Sequence, residues 1–461
     1  MTFESLAEQL PLGDFDASFP SGWELSEQGF PKEGLSFLQP ETIARYGKLV
    51  RLPGAAVEAM IDAARSVSNH EATMHLLWHE HTLLRGGIDI PKRRRRSFFL
   101  PPGTRPHAEP ESPEIDPCGF PNLGGERGRG TWTFNLLLAL SLLPDALWFY
   151  DVHHIPEDIR EATLSDFSLL HGYFDEHFAC HGISLSALQW LTNHLHGRLF
   201  RIGRLQFMRG ELGQGLTVYR NVTSLAGRSS QPQSGIELAI LAPAGMGVER
   251  GGLYPAQAAR IPGVERELPP EPAFRTTRSH GEDWIAGNPI LQDGRIDERT
   301  VHLPMDQWRL ELERGSGVLE IHIPGDGPLD PAACAASVSR AVEFFREYFP
   351  ERRFRALSCE SWFLDPSLDA ILDGGSNLRR FARSLHRYPV EGSEEEGLRR
   401  IFGNAVLASG IDLSGGSTSL QRGAAELLRR GGYLRPGGGF LLTEELPWGA
   451  LCRSETGRAV S

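Results

Sequence analysis

The stretch Val318–Phe349, VLEIHIPGDGPLDPAACAASVSRAVEFFREYF, decides the fold. Its opening residues alternate: Leu319, Ile321 and Ile323 fall on one face of a pleated strand, and Val318, Glu320 and His322 on the other. One face is core, and the other sets a carboxylate beside an imidazole. After the turn Pro324–Pro331, Asp330 has the acceptor side chain of a helix N-cap and Pro331 the fixed φ of a first helical position. Val338, Ala341, Val342 and Phe345 recur at helical spacing, so a helix over 331–348 buries one stripe. A second strand is expected over 354–359, then a short helix over 366–372 and a strand over 378–388. A strand, crossover helix and strand in this order imply parallel pairing.

The turn carries a chemical expectation as well. Glycines leading into a helix N-terminus present unpaired N–H groups and the positive end of the helix dipole at one place, a natural anion cradle. That suits a pyrophosphate such as coenzyme A carries. The candidate contacts are Ile323, Gly325, Gly327, Leu329, Ala332 and Ala333. Asp326, in the same turn, repels such an anion unless it faces away.

Outward from this segment the chain sorts into zones. Residues 41–197 are read as a helical domain, with Val57, Met60, Ile61 and Ala64 among the residues at helical spacing and a Pro/Gly-rich insert at 91–130. Residues 1–40 form an N-terminal extension. From 198 to 390 short alternating strands between glycine turns begin an α+β domain, and 391–461 supply one more helix and strand that complete it. The fold class is therefore α+β, a helical N-terminal domain followed by a mixed β-sheet domain with flanking helices.

At 461 residues there is ample material for two or three domains, and a net charge of −12 disfavours nucleic acid or anionic membrane as a partner. The run Arg93–Arg96 opposes that balance and reads as a solvated loop. Five scattered cysteines (Cys118, Cys180, Cys334, Cys359, Cys452) suit a reducing compartment. The longest apolar run, Phe134–Tyr150, is interrupted by Asn135, Pro144 and Asp145, and MTFESLAEQL lacks a signal-peptide layout; a cytoplasmic location is expected. His75 and His79 stand four apart with Glu80 and His81 beside them, a metal-ligand spacing without an identifiable third ligand, so no metal is expected.

Several stretches together resemble a bacterial acyltransferase family with an N-acyltransferase N-terminal domain and a GNAT-like C-terminal domain. They are Thr163–Phe178, Leu195–Phe207, Gly287–Ile296, Leu319–Leu368 and Thr418–Phe440. The resemblance implies a GNAT-like mixed sheet whose fourth strand, pyrophosphate turn and following helix bind an acyl-CoA, here VLEIHI, PGDGPL and 331–348. Two features depart from the family pattern: the Q/R-x-x-G-x-G/A loop is absent, and Glu360 and Asn288 stand where histidines are usual or frequent.

Acyl transfer to an amine needs a base for the amine proton, donors to polarise the thioester carbonyl and an acid for the leaving thiolate. His322 is the candidate base, with Glu320 to orient it or replace it; Ser361 and Glu360, just past the second strand, are candidate proton donors. No base-paired Ser or Cys is visible, so direct transfer is expected, from acyl-CoA to a small-molecule amine. A ligand-binding regulatory protein on the same scaffold is the alternative, and a metallohydrolase built on His75 a third. Arg198, Arg201 and Arg204 read equally as an anion-binding strand face and as salt-bridge partners.

Overall fold

Among the described residues up to 195, helices follow one another because apolar side chains there recur at three- and four-residue intervals. The computed structural model describes residues 1–10, 22–86, 129–222, 237–403, 406–411, 413 and 416–448. It divides into two units, Met1–Arg201 and Ile202–Ser461. The insert up to residue 128, with Arg93–Arg96 and Cys118, lies outside the described residues, as does Cys452.

In the first unit the helix Gly54–Ser68 buries Met60, Ala64 and Val67 along one stripe, and Leu185–Leu195 is capped by Ser184, whose hydroxyl accepts from the Ala187 N–H at 3.2 Å. The described residues of the N-terminal extension include two helices. Phe3–Gln9 and Trp23–Gln28 bury Leu6 and Trp23, the latter with its ring 4.8 Å from that of His79. The apolar run falls into two helices, Arg129–Ser141 and Leu143–Val152, with Pro144 opening the second. By length and composition Trp132–Val152 is apolar enough to cross a membrane, yet 61% of its most apolar window is buried in the fold, as in a core helix.

The strand Leu199–Ile202 (β1) carries the chain from one unit to the other. The second unit continues with Leu205–Glu211 (β2), Thr217–Asn221 (β3), Leu238–Leu241 (β4), Gly247–Val248 (β5), Phe274–Arg275 (β6) and Arg278–His280 (β7). Trp284–Gly287 (β8), Val301–Pro304 (β9), Trp308–Leu312 (β10) and Gly317–His322 (β11) follow. The last strands are Ala356–Ser361 (β12), His386–Pro389 (β13) and Gly437–Leu442 (β14). The central sheet of this unit runs β2-β11-β12-β14-β13. Its one parallel ladder among the described residues is β11 with β12, which the helix Pro331–Tyr348 connects.

Alternation puts Val318, Ala356, Tyr388, Phe440 and Leu442 into one core, with Val218, Ile240 and Leu312 from a smaller sheet and Tyr254 from a loop. Leu319, Ile321, Leu357 and Leu441 point to the other face, where the helix Pro331–Tyr348 lies against β2. Val338, Ala341, Val342 and Phe345 of that helix are buried, and burying such a side chain contributes about 1.5–3 kcal/mol for Val or Phe. The strand expected over 378–388 is instead a helix, Asn377–Ala382, followed by β13. Phe381, Ala382 and Leu385 are buried, and with Leu378 they stand at helical intervals, so period 3.6 wins over period 2 there.

Candidate active site

β11 and β12 pair at Val318–Ala356, Leu319–Leu357 and Glu320–Ser358, and the ladder ends there. Both strands run on, β11 to His322 against β2 and β12 to Ser361 against β14. Their C-terminal ends therefore part, and the sheet opens between them. An interrupted ladder leaves backbone groups on two facing edges that a ligand can engage in place of water.

Glu320, His322, Ser358 and Glu360 lie on one face at this opening, because they alternate along two strands in register. His322 Nε2 is 3.6 Å from Glu320 Oε2, with side chains 30% and 29% exposed, so the pair is neither sealed nor free in solvent. The Glu320 carboxylate lies over Gly210 of β2, where a Cβ would stand 2.1 Å from Oε1 and would push the carboxylate aside. Glu360 is exposed and its Oε1 accepts from Gln214 Nε2 at 2.8 Å. Ser361 is half-buried at the end of β12, opposite Gly437.

Tyr388 was not legible as a site residue. In register, Glu360, Gly438 and Tyr388 stand side by side on β12, β14 and β13. A Cβ on Gly438 would lie 2.1 Å from Tyr388 Cε2 and 2.7 Å from its hydroxyl oxygen, so the phenol lies across β14. Burial pushes its pKa well above the usual tyrosine value, and the charges of Glu360, Cys359 and Glu320 push the same way, so the hydroxyl stays a donor. The triple glycine Gly437–Gly439 was the available signal.

Cys359 points to the opposite face of the sheet and is itself buried. Burial pushes its thiol up to about 12, with the charges of Glu360 and Glu396 adding to the effect.

In the turn after β11, the Asp330 carboxylate accepts from the Ala333 N–H at 2.8 Å, and the Asp330 carbonyl accepts from the Cys334 N–H. The cap thus occupies the donor of Ala333, which is no longer available to a ligand, whereas Ala332 sits in the same first turn. Arg204, at the turn between β1 and β2, reaches into the loop: Nε donates to the Pro328 carbonyl at 2.7 Å, and Nη2 to those of Pro324, at 2.9 Å, and Gly327. Its Nη1 is 3.8 Å from Asp326 Oδ1, which answers where the loop's acid faces. Beside this turn is a cavity of about 280 Å³ lined by Leu329, Pro331, Cys334, Asn377, Arg380 and Trp448, among others. Burial pushes the Cys334 thiol up to about 11.

The remaining candidates are placed elsewhere. Asn288 is buried; its Oδ1 accepts from the Thr277 N–H at 2.8 Å and its Nδ2 donates to the carbonyls of Asp297 and Glu298, so it staples three backbone segments. In the first unit the Nδ1 atoms of His75, His79 and His81 meet Glu27, Ser26 and Ser141 at 2.7, 2.7 and 2.8 Å, three different partners.

Residues 199–441 match the family model described as a GNAT-like C-terminal domain, and residues 41–197 match an N-acyltransferase N-terminal domain. No functionally curated protein matches the chain. Among solved structures, an acyltransferase mutant in complex with octanoyl-CoA is 19% identical, with a TM-score of 0.57 over 96% of this chain and 99% of that one. An acyltransferase in complex with decanoyl-CoA and teicoplanin is 20% identical, with the same TM-score and the same coverage. At that identity these structures bear on the fold alone.

Proposed function

This chain belongs to the family with a GNAT-like C-terminal domain, as an acyl-CoA-dependent acyltransferase, and we propose that it passes the acyl group directly to the amine of a small molecule. The observation that carries this reading is the opening between β11 and β12, with Glu320 and His322 on one rim, Glu360 on the other and all three on one face, and a helix N-terminus at its end.

An amine acceptor arrives mostly as an ammonium ion, and two carboxylates at the rim attract it. His322 removes the proton, with Glu320 beside it to stabilise the resulting imidazolium. The neutral nitrogen attacks the thioester carbonyl carbon, an N–C bond forms as the C–S bond breaks, and the second proton that the nitrogen sheds passes to the departing thiolate of coenzyme A. Backbone N–H groups at the open strand edges are suited to polarise the carbonyl. The pyrophosphate lies at the turn and first helical turn after β11, contacting Gly325, Gly327, Leu329 and Ala332. The complexes of the similarly folded structures with octanoyl-CoA and decanoyl-CoA guide the choice of donors to test.

The test is thiol release and product mass with acetyl-, octanoyl- and decanoyl-CoA against panels of amines and alcohols. Amine-dependent release with a matching amide product is expected. Coenzyme A binding without release for any acceptor would replace this reading with that of a binding protein, and ester products alone would overturn the amine assignment.

A further inference from the structure

We propose that Arg204, remote in sequence from the turn Pro324–Asp330, builds the pyrophosphate cradle, shaping the loop and supplying the positive charge that the loop itself lacks. The proposal rests on the acyl-CoA reading of this site.

The loop alone is a poor anion site. It contains two acids, Asp326 and the capping Asp330, no lysine or arginine, and the prolines 324 and 328, which, like Pro331 just after it, have no N–H to give. Arg204 changes this from within. Its guanidinium gathers the carbonyls of Pro324, Gly327 and Pro328. Because each peptide is planar and trans, the N–H that follows a carbonyl points the opposite way. The N–H groups of Gly325 and Leu329 are thereby turned away from the guanidinium, outward from the loop.

Arg204 is itself held in place. Its backbone N–H donates to Ser337 Oγ at 2.8 Å, and that hydroxyl donates to the Ala333 carbonyl in the helix's first turns. Gly203 has φ +66°, and a Cβ there would stand 2.7 Å from the same Ser337 oxygen, so only glycine brings the chain this close. The Arg204 side chain is 10% exposed, and Nη1 is buried without a hydrogen-bond partner among the described residues.

A buried guanidinium beside a helix N-terminus adds positive charge where the dipole is already positive. Asp326, with its side chain 27% exposed and 3.8 Å away, offsets part of that charge. A pyrophosphate at the outward N–H groups supplies the rest and competes with Asp326 for the same cation. Asp326 therefore weakens coenzyme A binding and Arg204 strengthens it.

The experiment compares acyl-CoA with the matching acyl-pantetheine, which lacks the pyrophosphate and nucleotide. Arg204→Gln is expected to raise KM and Kd for acyl-CoA about tenfold, the loss of a charge-assisted contact, and to leave acyl-pantetheine within about twofold. Arg204→Lys restores part of the difference. Asp326→Asn, at a partly exposed side chain that leaves the fold intact, is expected to lower the Kd for acyl-CoA about threefold with no change for acyl-pantetheine. Equal weakening of both donors by Arg204→Gln makes it a merely structural residue and overturns the proposal, and an unchanged Kd in Asp326→Asn does the same should Arg204→Gln fail to fold. Wild-type protein that binds no acyl-CoA at all would instead remove the reading on which the proposal stands.

Discussion

Cys359 is the sharpest test of direct transfer, because it is the thiol nearest the opening between β11 and β12. A covalent route would load the acyl group onto it first. With its pKa at about 12, only ~3 × 10⁻⁵ of the thiol is ionised at pH 7.5, against about one part in ten for an ordinary cysteine. That alone lowers the nucleophilic form roughly 3,000-fold. Geometry agrees: Cys359 is buried on one face of the sheet, while Glu320, His322 and Glu360 lie on the other. Cys359→Ala should therefore leave kcat within about twofold. Removing one buried heavy atom costs about 1 kcal/mol, a melting shift of roughly 2–4 °C for a unit of this size. Intact mass spectrometry after incubation with acyl-CoA and no acceptor should find no acylated protein. An acyl adduct on the wild type that vanishes in Cys359→Ala, accompanied by ping-pong kinetics, would refute the reasoning.

His322→Ala should lower kcat about 10²–10⁴-fold while the Kd for coenzyme A, measured by calorimetry, stays within about twofold. Asp330→Ala removes the cap on the Ala333 N–H, at a cost of about 1 kcal/mol, and should also raise the KM for acyl-CoA, both readable from melting and initial rates. His81 is held neutral by burial, with Arg85 acting the same way, and its pKa is lowered from 6.5 to about 4. Since the unfolded chain takes this proton first, stability is complete above pH 6.5 and falls as pH drops towards 4, by at most about 3 kcal/mol. Denaturant melts across that window should show the slope, and His81→Asn should flatten it.

What the sequence made legible was local. Alternation in VLEIHI, the Asp330 cap, the Pro331 start and the stripe from Val338 to Phe345 each depend on residues a few positions apart, and each is present. Where local patterns conflicted, reading failed: Leu378, Phe381, Ala382 and Leu385 suit a helix, and the surrounding residues were read as a strand. Contacts made across long stretches of chain left no spacing to read. Arg204 reaches carbonyls more than a hundred positions away, and Tyr388 gains its place beside Glu360 only because Gly438 lies between them in the sheet.

The same distinction explains the positions that depart from the family pattern. Asn288 uses its amide to join the segments at 277 and 297–298, a structural task with no demand for an imidazole. Glu360 stays exposed at the rim, hydrogen-bonded to Gln214, so a carboxylate there changes the charge of the opening without closing it. A more acidic rim favours a cationic acceptor over a neutral alcohol. Where the Q/R-x-x-G-x-G/A pattern is absent, a side chain from the turn between β1 and β2, Arg204, braces the loop instead, a contact that no local spacing announces.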